Sequence, residues 1–352
     1  MQRLSREAYL IILAVILLVS GALAFRTAQV KNSDSGTEDT GNPAFAEARY
    51  PYRQLSRREQ KLYEALYNGI AGYQTIVHLP DTYTDKEYER IYLMVMMQEP
   101  DFFYVDRVYE LAAEMRDVKI YYTMTQEEAG QMRLRLESAA DSVLQQLSPT
   151  QTSWQQLLTV HDVLAQRCRY GQSLHSDDVC GLMTEGWAMC EGYSKAFLYV
   201  ARRAGFEAMC VPGRTGNGSD HVWNIVQIDG QYYNMDLTFD DDDCYGGSFS
   251  HACFAVSDTF FSADHLPDRF SYSPPPCTDS TQTYYIIKAL QISEPAQLVQ
   301  RVQEWMNRSV NSVTEFYCSE TVTDPKSRLR SMLGGTGRQI YWDEVRRIAV
   351  IV

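Results

Sequence analysis

Positive charge is scarce in this chain. Lys and Arg number 32 against 45 Asp and Glu, for a formal net charge of −13. A field of that sign repels phosphate backbones, so nucleic acid is not an expected partner, and a bare anionic membrane surface is equally unattractive. Short metal motifs are missing as well: there is no Cys-x-x-Cys and no His-Glu-x-x-His, the spacings that commonly hold zinc. There is no phosphate loop and no Gly-x-Ser-x-Gly elbow, which removes two common routes to phosphoryl and acyl transfer. The four carboxylates at 240–243 lack the spaced ligands and turn glycine of a calcium loop. They read as a solvated acidic loop at the rim of a cleft. No cofactor and no metal is expected.

Long apolar runs are confined to one place, residues 8–25, which carry no charge and follow Arg3 and Arg6. As a helix the run would reach about 27 Å, close to the hydrocarbon thickness of a bilayer. The preceding arginines favour a cytoplasmic N-terminus and an exported remainder. The competing reading is a cleaved signal peptide, because Ala22, Leu23 and Ala24 resemble a small-residue cleavage site. Length and the absence of a softer c-region favour a single-pass anchor over secretion, and no cysteine follows the run to take a lipid. Residues 26–50 are rich in Ser, Thr, Gly, Asp and Glu without hydrophobic period, the composition of a disordered spacer.

The chemistry concentrates in residues 186–240. Cys190 stands just before a helical pattern over 193–204, in which Tyr193, Phe197, Val200 and Ala201 share a face. A thiol at a helix start feels the positive end of the backbone dipole, which favours its ionised form. His221 opens a strand-like run and Asp236 closes another, with Asp229 and Gly230 between them. Asp-Gly between alternating apolar residues predicts a hairpin, which brings His221 and Asp236 to one end of the ribbon. A helix packed on that ribbon could present Cys190 to His221 with Asp236 behind the imidazole. Nucleophile, base and orienting carboxylate is the logic of covalent acyl chemistry. Trp223 shares a strand face with His221 by alternation, and Trp187 and Trp223 are candidates for an apolar cleft wall. Tyr193 and Tyr233 read as core.

These residues resemble the transglutaminase-like superfamily, in its bacterial papain-like branch with the order Cys, His, Asp. The resemblance rests on Gly186 through Cys190-Glu191-Gly192-Tyr193, on Asp220-His221-Val222-Trp223-Asn224, and on Tyr233-Asn234-Met235-Asp236-Leu237-Thr238. The family pattern usually has Ala after the His and Trp after the Thr; here Val222 and Phe239 stand in those places. It continues to Val256-Ser257-Asp258 and His265, and more weakly upstream through 154–170. About a third of the chain is covered. The resemblance implies a papain-like, transglutaminase-like α+β core with a nucleophile helix on an antiparallel sheet. It also implies Cys190, His221 and Asp236 as catalytic residues. The Cys190 N–H would be one oxyanion donor, with Trp187, Tyr170 or Gln172 as candidates for the second. Protein, peptide or cell-wall peptide amides are the expected substrates, with hydrolysis favoured over amine transfer. The rival is a non-catalytic surface module that holds peptides in the same cleft.

Flanking lobes complete the plan. Residues 51–123 read as helix 55–72, strand 74–79, helix 85–97, then strands 102–105 and 118–123. Ser56 with Glu59, and Thr125 with Glu128 before the helix 125–146, make capping boxes. A helix over 153–168 carries Trp154, Leu157, Leu158, His161 and Leu164 on one stripe, with His161 as a core residue. Residues 288–352 repeat the grammar of the first lobe, with helices 295–308 and 325–333 and strands 313–318, 339–342 and 347–352. The expected domains are therefore 51–123, 124–283 and 284–352, after the anchor 1–25 and the spacer 26–50. Eight cysteines all follow the apolar run. If Cys190 is free, an odd number remains. Cys168 with Cys180, or Cys244 with Cys253 or Cys277, are possible bridges, and buried free thiols are the alternative.

Overall fold

The computed structural model describes residues 49–112, 116–241, 248–307 and 313–352. The apolar run 8–25 and almost all of the spacer lie outside the described residues. Among the described residues no helix is long and apolar enough to cross a membrane. The spacer reading runs one residue too far: Tyr50–Arg53 already forms a helical turn that buries Tyr52.

In the first lobe, helix α1 (Arg57–Ala71) starts at Ser56, whose side chain and Glu59 form the expected capping box. Its Leu62, Tyr63, Leu66 and Ile70 fall on one buried stripe. Strand β1 (Ile76–His78) leads to α2 (Asp85–Gln98), capped by Thr84 and Glu87. The expected strand at 102–105 is displaced: Pro100–Phe102 forms a 3-10 turn and β2 is Val105–Leu111. Pro100 has no N–H for a ladder and its fixed φ suits a helical start. With β3 (Asp117–Tyr122) the sheet order is β1-β3-β2, both pairs antiparallel.

Helix α3 (Gln126–Leu144) is capped by Thr125 and Glu128, and α4 (Ser153–Ala165) by Thr152 and Gln155. The latter stops at Ala165, short of the expected 168. Strands β4 (Arg169–Tyr170) and β5 (Trp187–Ala188) form a two-residue parallel ladder that feeds α5 (Cys190–Arg203). The central sheet follows: β6 (Ala208–Thr215), β7 (Asp220–Ile228), β8 (Gln231–Met235) and β9 (His265–Pro267), in the order β8-β7-β6-β9, all antiparallel. Asp229 and Gly230 take φ of 48° and 84°, the pair of left-handed conformations that a two-residue hairpin requires.

The last lobe holds β10 (Gln291–Ile292), α6 (Pro295–Met306), β11 (Thr314–Cys318), α7 (Pro325–Leu333), β12 (Ile340–Asp343) and β13 (Ile348–Ile351). Its sheet order is β10-β11-β13-β12. Without β10, the order β11-β13-β12 repeats β1-β3-β2, with a helix before the first strand and another after it. The common grammar is thus a common topology. The first lobe and the central sheet share one continuous core, which also takes in Ile348 and Val350 of β13. Ala349 and Ile351 turn to a second core with Leu298, Val302, Trp305 and Leu329. Period-two alternation along β13 stitches the two together. None of the seven described cysteines is bridged, and six of them are buried. Cys168 and Cys180, and Cys253 and Cys277, are buried thiols rather than bridges; Cys244 lies outside the described residues.

Candidate active site

Cys190 is the first residue of α5, three residues earlier than the helical pattern predicts. No side chain caps this helix start, where Met189 is the boundary residue. The leading N–H groups therefore face the neighbourhood of the thiol. Gly192 makes this possible. A Cβ there would lie 2.4 Å from the Ser176 carbonyl oxygen, so the first turn fits only because it carries no side chain at that point. Cys190 is half-buried, while Cys168, Cys180, Cys210, Cys253, Cys277 and Cys318 are buried. Burial pushes the thiols of Cys168, Cys210 and Cys318 up to about 12.

The hairpin register pairs Asn224 with Met235 and Ile225 with Asn234, so His221, Trp223 and Asp236 fall on one face. His221 Nε2 lies 2.6 Å from Asp236 Oδ2. Cys190 is a further side-chain hydrogen-bond partner of the ring. Asn224, of opposite parity, turns to the helix instead and donates to the Ser194 carbonyl at 3.0 Å. Burial opposes charge on His221, but Asp236 outweighs it and, with Cys190, pushes the imidazole up to about 10. Burial would raise the Asp236 carboxyl; His221 and His265 overcome that and hold it well below the usual range. Its Oδ1 accepts the N–H groups of Thr238 and Phe239 at 2.9 and 3.2 Å. A thiol, an imidazole and a fixed carboxylate stand in succession, a set of groups that can support acyl transfer through a thioester.

Sequence reasoning gave no role to what lies behind Asp236. His265 Nε2 is 2.9 Å from the same Oδ2, and its Nδ1 is 2.7 Å from Asp264 Oδ1. Arg346 Nη2, from the turn between β12 and β13, reaches that Oδ1 at 2.7 Å, and Nη1 reaches Asp343 Oδ2 at 3.1 Å. The resemblance touched His265 in passing, but no local signal marks Arg346, 82 residues from Asp264. Phe239, where the family pattern has Trp, packs against both imidazoles, with ring centroids 5.1 Å from His221 and 4.7 Å from His265.

Trp187, Tyr170 and Gln172 are exposed on or just after the β4–β5 ladder that leads into Cys190. Trp223 is a correction. It has the predicted parity, yet it is 1% exposed and donates from Nε1 to Asn234 Oδ1 at 3.2 Å. Packed against Phe261 and His265, it underlies the histidines and cannot wall a cleft. Tyr193 and Tyr233 are buried.

The acidic run is a second correction. Asp240 and Asp241 are fully buried; Asp242 and Asp243 lie outside the described residues. Asp240 accepts from Ser250 Oγ at 2.8 Å and faces His161 Nε2 at 3.2 Å, and Tyr193 donates its hydroxyl to Asp241. His161 and His251 in turn share Asp162 Oδ1 at 3.0 and 2.9 Å, and His251 pairs with Glu315. Two histidine–carboxylate groups among the described residues, His161 with Asp162 and His251, and His221 with Asp236 and His265, bring ligand-type atoms within 4.8 Å. In both, the imidazole nitrogens are already hydrogen-bonded within the protein, which is the pattern of buried ion pairs.

Comparison with known proteins finds a likeness over the stretch that carries Cys190, His221 and Asp236. The model of the transglutaminase-like superfamily matches residues 139–237. Among solved structures, the chain is similar to a TGase (14% identity over 37% of this chain and 43% of that one, TM-score 0.28). It is also similar to a protein described as a "putative cysteine protease" from Cytophaga hutchinsonii (15% identity, 31% and 38%, TM-score 0.26). A third is a "putative protease" from Parabacteroides distasonis (10% identity, 70% and 61%, TM-score 0.27). The chain spans less than two thirds of the length of each of these. No curated protein matches it.

Proposed function

From the premise that the chain carries a transglutaminase-like domain over residues 139–237, we propose that it is a cysteine-dependent enzyme acting on amide bonds of proteins, peptides or cell-wall peptides, exported and held at the membrane by residues 8–25. The observation that carries this reading is the succession Cys190, His221, Asp236, with a half-buried thiol at an uncapped helix start and His221 Nε2 2.6 Å from a buried carboxylate. The Cys190 thiolate attacks the amide carbonyl carbon and forms a tetrahedral oxyanion, to which the Cys190 N–H donates. As the C–N bond breaks, imidazolium His221 gives its proton to the leaving amine, and the thioester remains. His221 then takes a proton from water, the hydroxyl oxygen bonds to the carbonyl carbon, and the sulfur leaves as thiolate. Asp236 holds the ring orientation throughout and stabilises its charged form.

Hydrolysis is favoured over transfer for a specific reason. An amine acceptor needs attraction and a screened path to outcompete water. The acidic run was the feature best suited to draw a lysine ammonium, but Asp240 and Asp241 are buried and already bonded to His161, Ser250 and Tyr193. The test is the partition of the acyl-enzyme. Peptides or wall fragments are incubated with the exported part, with and without a primary amine, and products are weighed by mass spectrometry. Cys190-dependent free acid supports a hydrolase; dominant amine adduct reverses the choice. No Cys190-dependent product from any substrate transfers the weight to a non-catalytic peptide-binding module.

A further inference from the structure

The carboxylate that orients His221 has a second imidazole on the same oxygen. Asp236 Oδ2 lies 2.6 Å from His221 Nε2 and 2.9 Å from His265 Nε2. His265 is 1% exposed and meets Asp264 Oδ1 at its other nitrogen, 2.7 Å away. Both ring nitrogens face carboxylate oxygens, which only accept, so both carry protons. From His221 onward, Arg346 and Asp343 continue an alternation of sign: imidazolium, carboxylate, imidazolium, carboxylate, guanidinium, carboxylate. We propose that His265, fixed as a buried cation by Asp264, which Arg346 of the last lobe holds in place, is a positioning residue that shares Asp236 with His221 and thereby sets how firmly His221 keeps its proton.

This rests on the catalytic reading of Cys190, His221 and Asp236. Its physics is a competition. Asp236 holds a proton on His221 more strongly when its charge is undivided. The His265 cation divides it, and its ring centroid lies 5.5 Å from that of His221, close enough to repel a second positive charge directly. The charged and titratable groups facing the pair come from several elements. Cys190 of α5 faces His221, and Asp236 after β8 lies between the two rings. Asp264 flanks His265 in sequence, and Arg346 approaches Nδ1 to 3.5 Å. Asp343 holds Arg346, and buried Cys253 lies in the field of Arg346 and Asp236. Trp223, Phe239 and Phe261 supply the apolar walls, with Phe261 stacked on His265 at 3.8 Å.

The test reads Cys190 without a substrate. The rate of alkylation by iodoacetamide is followed against pH, with the modified residue identified by mass and folding checked by circular dichroism. In the unaltered protein an upper inflection marks loss of the His221 proton, and His221→Ala removes it. His265→Gln keeps an N–H for Asp236 but removes the charge, and should move that inflection up by about one pH unit or more. Asp264→Asn, which withdraws the partner of His265 Nδ1, should move it the same way, and serves if His265→Gln fails to fold. Arg346→Lys should restore the original profile relative to Arg346→Met. A folded His265→Gln or Asp264→Asn with an unmoved inflection overturns the proposal and leaves the catalytic reading standing. A Cys190 that alkylates no faster than a free model thiol in the unaltered protein overturns both.

Discussion

Strand β13 offers the most demanding test of the packing. Its Ile348 and Ile351 are 1% and 0% exposed and face different cores, the first shared with the central sheet and the second private to the last lobe. Truncating a buried Ile to Ala costs about 2–5 kcal/mol, through lost transfer energy and the cavity left behind. For a folded unit of about 300 residues the unfolding entropy is roughly 0.6 kcal/mol/K, so each variant should melt about 3–8 °C lower. Deleting 348–352 is harsher. It removes Ile348, Val350 and Ile351, worth about 1.5–3 kcal/mol each, and with them both ladders, to β11 and to β12. That loss rivals the whole stability of an ordinary domain, about 5–15 kcal/mol. Thermal melts by circular dichroism, alongside urea titration, measure both. An unchanged melting curve for the deletion, or Ile-to-Ala variants within about a degree of the parent, would falsify the assignment of β13 to the two cores.

Three further outcomes are expected. At neutral pH iodoacetamide should label Cys190 far ahead of Cys168, Cys210 and Cys318, which burial holds near 12; peptide mapping that finds equal labelling contradicts the burial pattern. His221 and His251 are buried, which disfavours their charge, yet their carboxylate partners raise both from 6.5 to about 10. The stabilisation they contribute is complete below about pH 6.5 and is lost as the pH climbs through about 10. The melting temperature should accordingly fall between pH 7 and pH 10, and His251→Gln should flatten part of that slope; a flat parent profile contradicts it. Gly192→Ala places a methyl group against the Ser176 carbonyl, should cost about 1–3 kcal/mol, and should slow Cys190 alkylation; an unaffected rate means the helix start adapts freely.

Much of this architecture is written locally. The capping boxes at Ser56, Thr84 and Thr125 join residues three apart, and the Asp229-Gly230 turn fixes the register that sets His221 and Asp236 on one face. What the sequence conceals is depth and distance. Strand β6 escaped because it is buried along most of its length, which erases the alternation by which strands are recognised. Asp240 and Asp241 sit in a charged run, yet lie in the interior, where His161, Ser250 and Tyr193 satisfy them. Parity put Trp223 on the right face, but parity does not say whether that face is open or covered. Arg346 stands beside Asp264 only because the last lobe folds back on the central sheet, a relation without any local trace.

Both histidine–carboxylate chains use the last lobe, and this bears on why that lobe is there. Arg346 closes the chain that begins at Cys190, and Glu315 of β11 closes the chain through His251, Asp162, His161 and Asp240. The two chains meet the same short segment of backbone, since Asp236 begins it and Asp240 lies four residues on, with the Asp240 N–H donating to the Asp236 carbonyl at 3.2 Å. Buried ion pairs are poor sources of stability, because desolvation offsets most of their attraction. An apolar interface would join the lobe to the core as firmly, as Ile348 and Val350 already do. What charge adds is direction: each imidazole has only two N–H groups, and both are engaged, so the segment carrying Asp236 has one low-energy placement rather than several. In the catalytic reading proposed for Asp236, a carboxylate that orients a base to within hydrogen-bonding precision needs that kind of restraint. The last lobe provides it from outside the transglutaminase-like region itself.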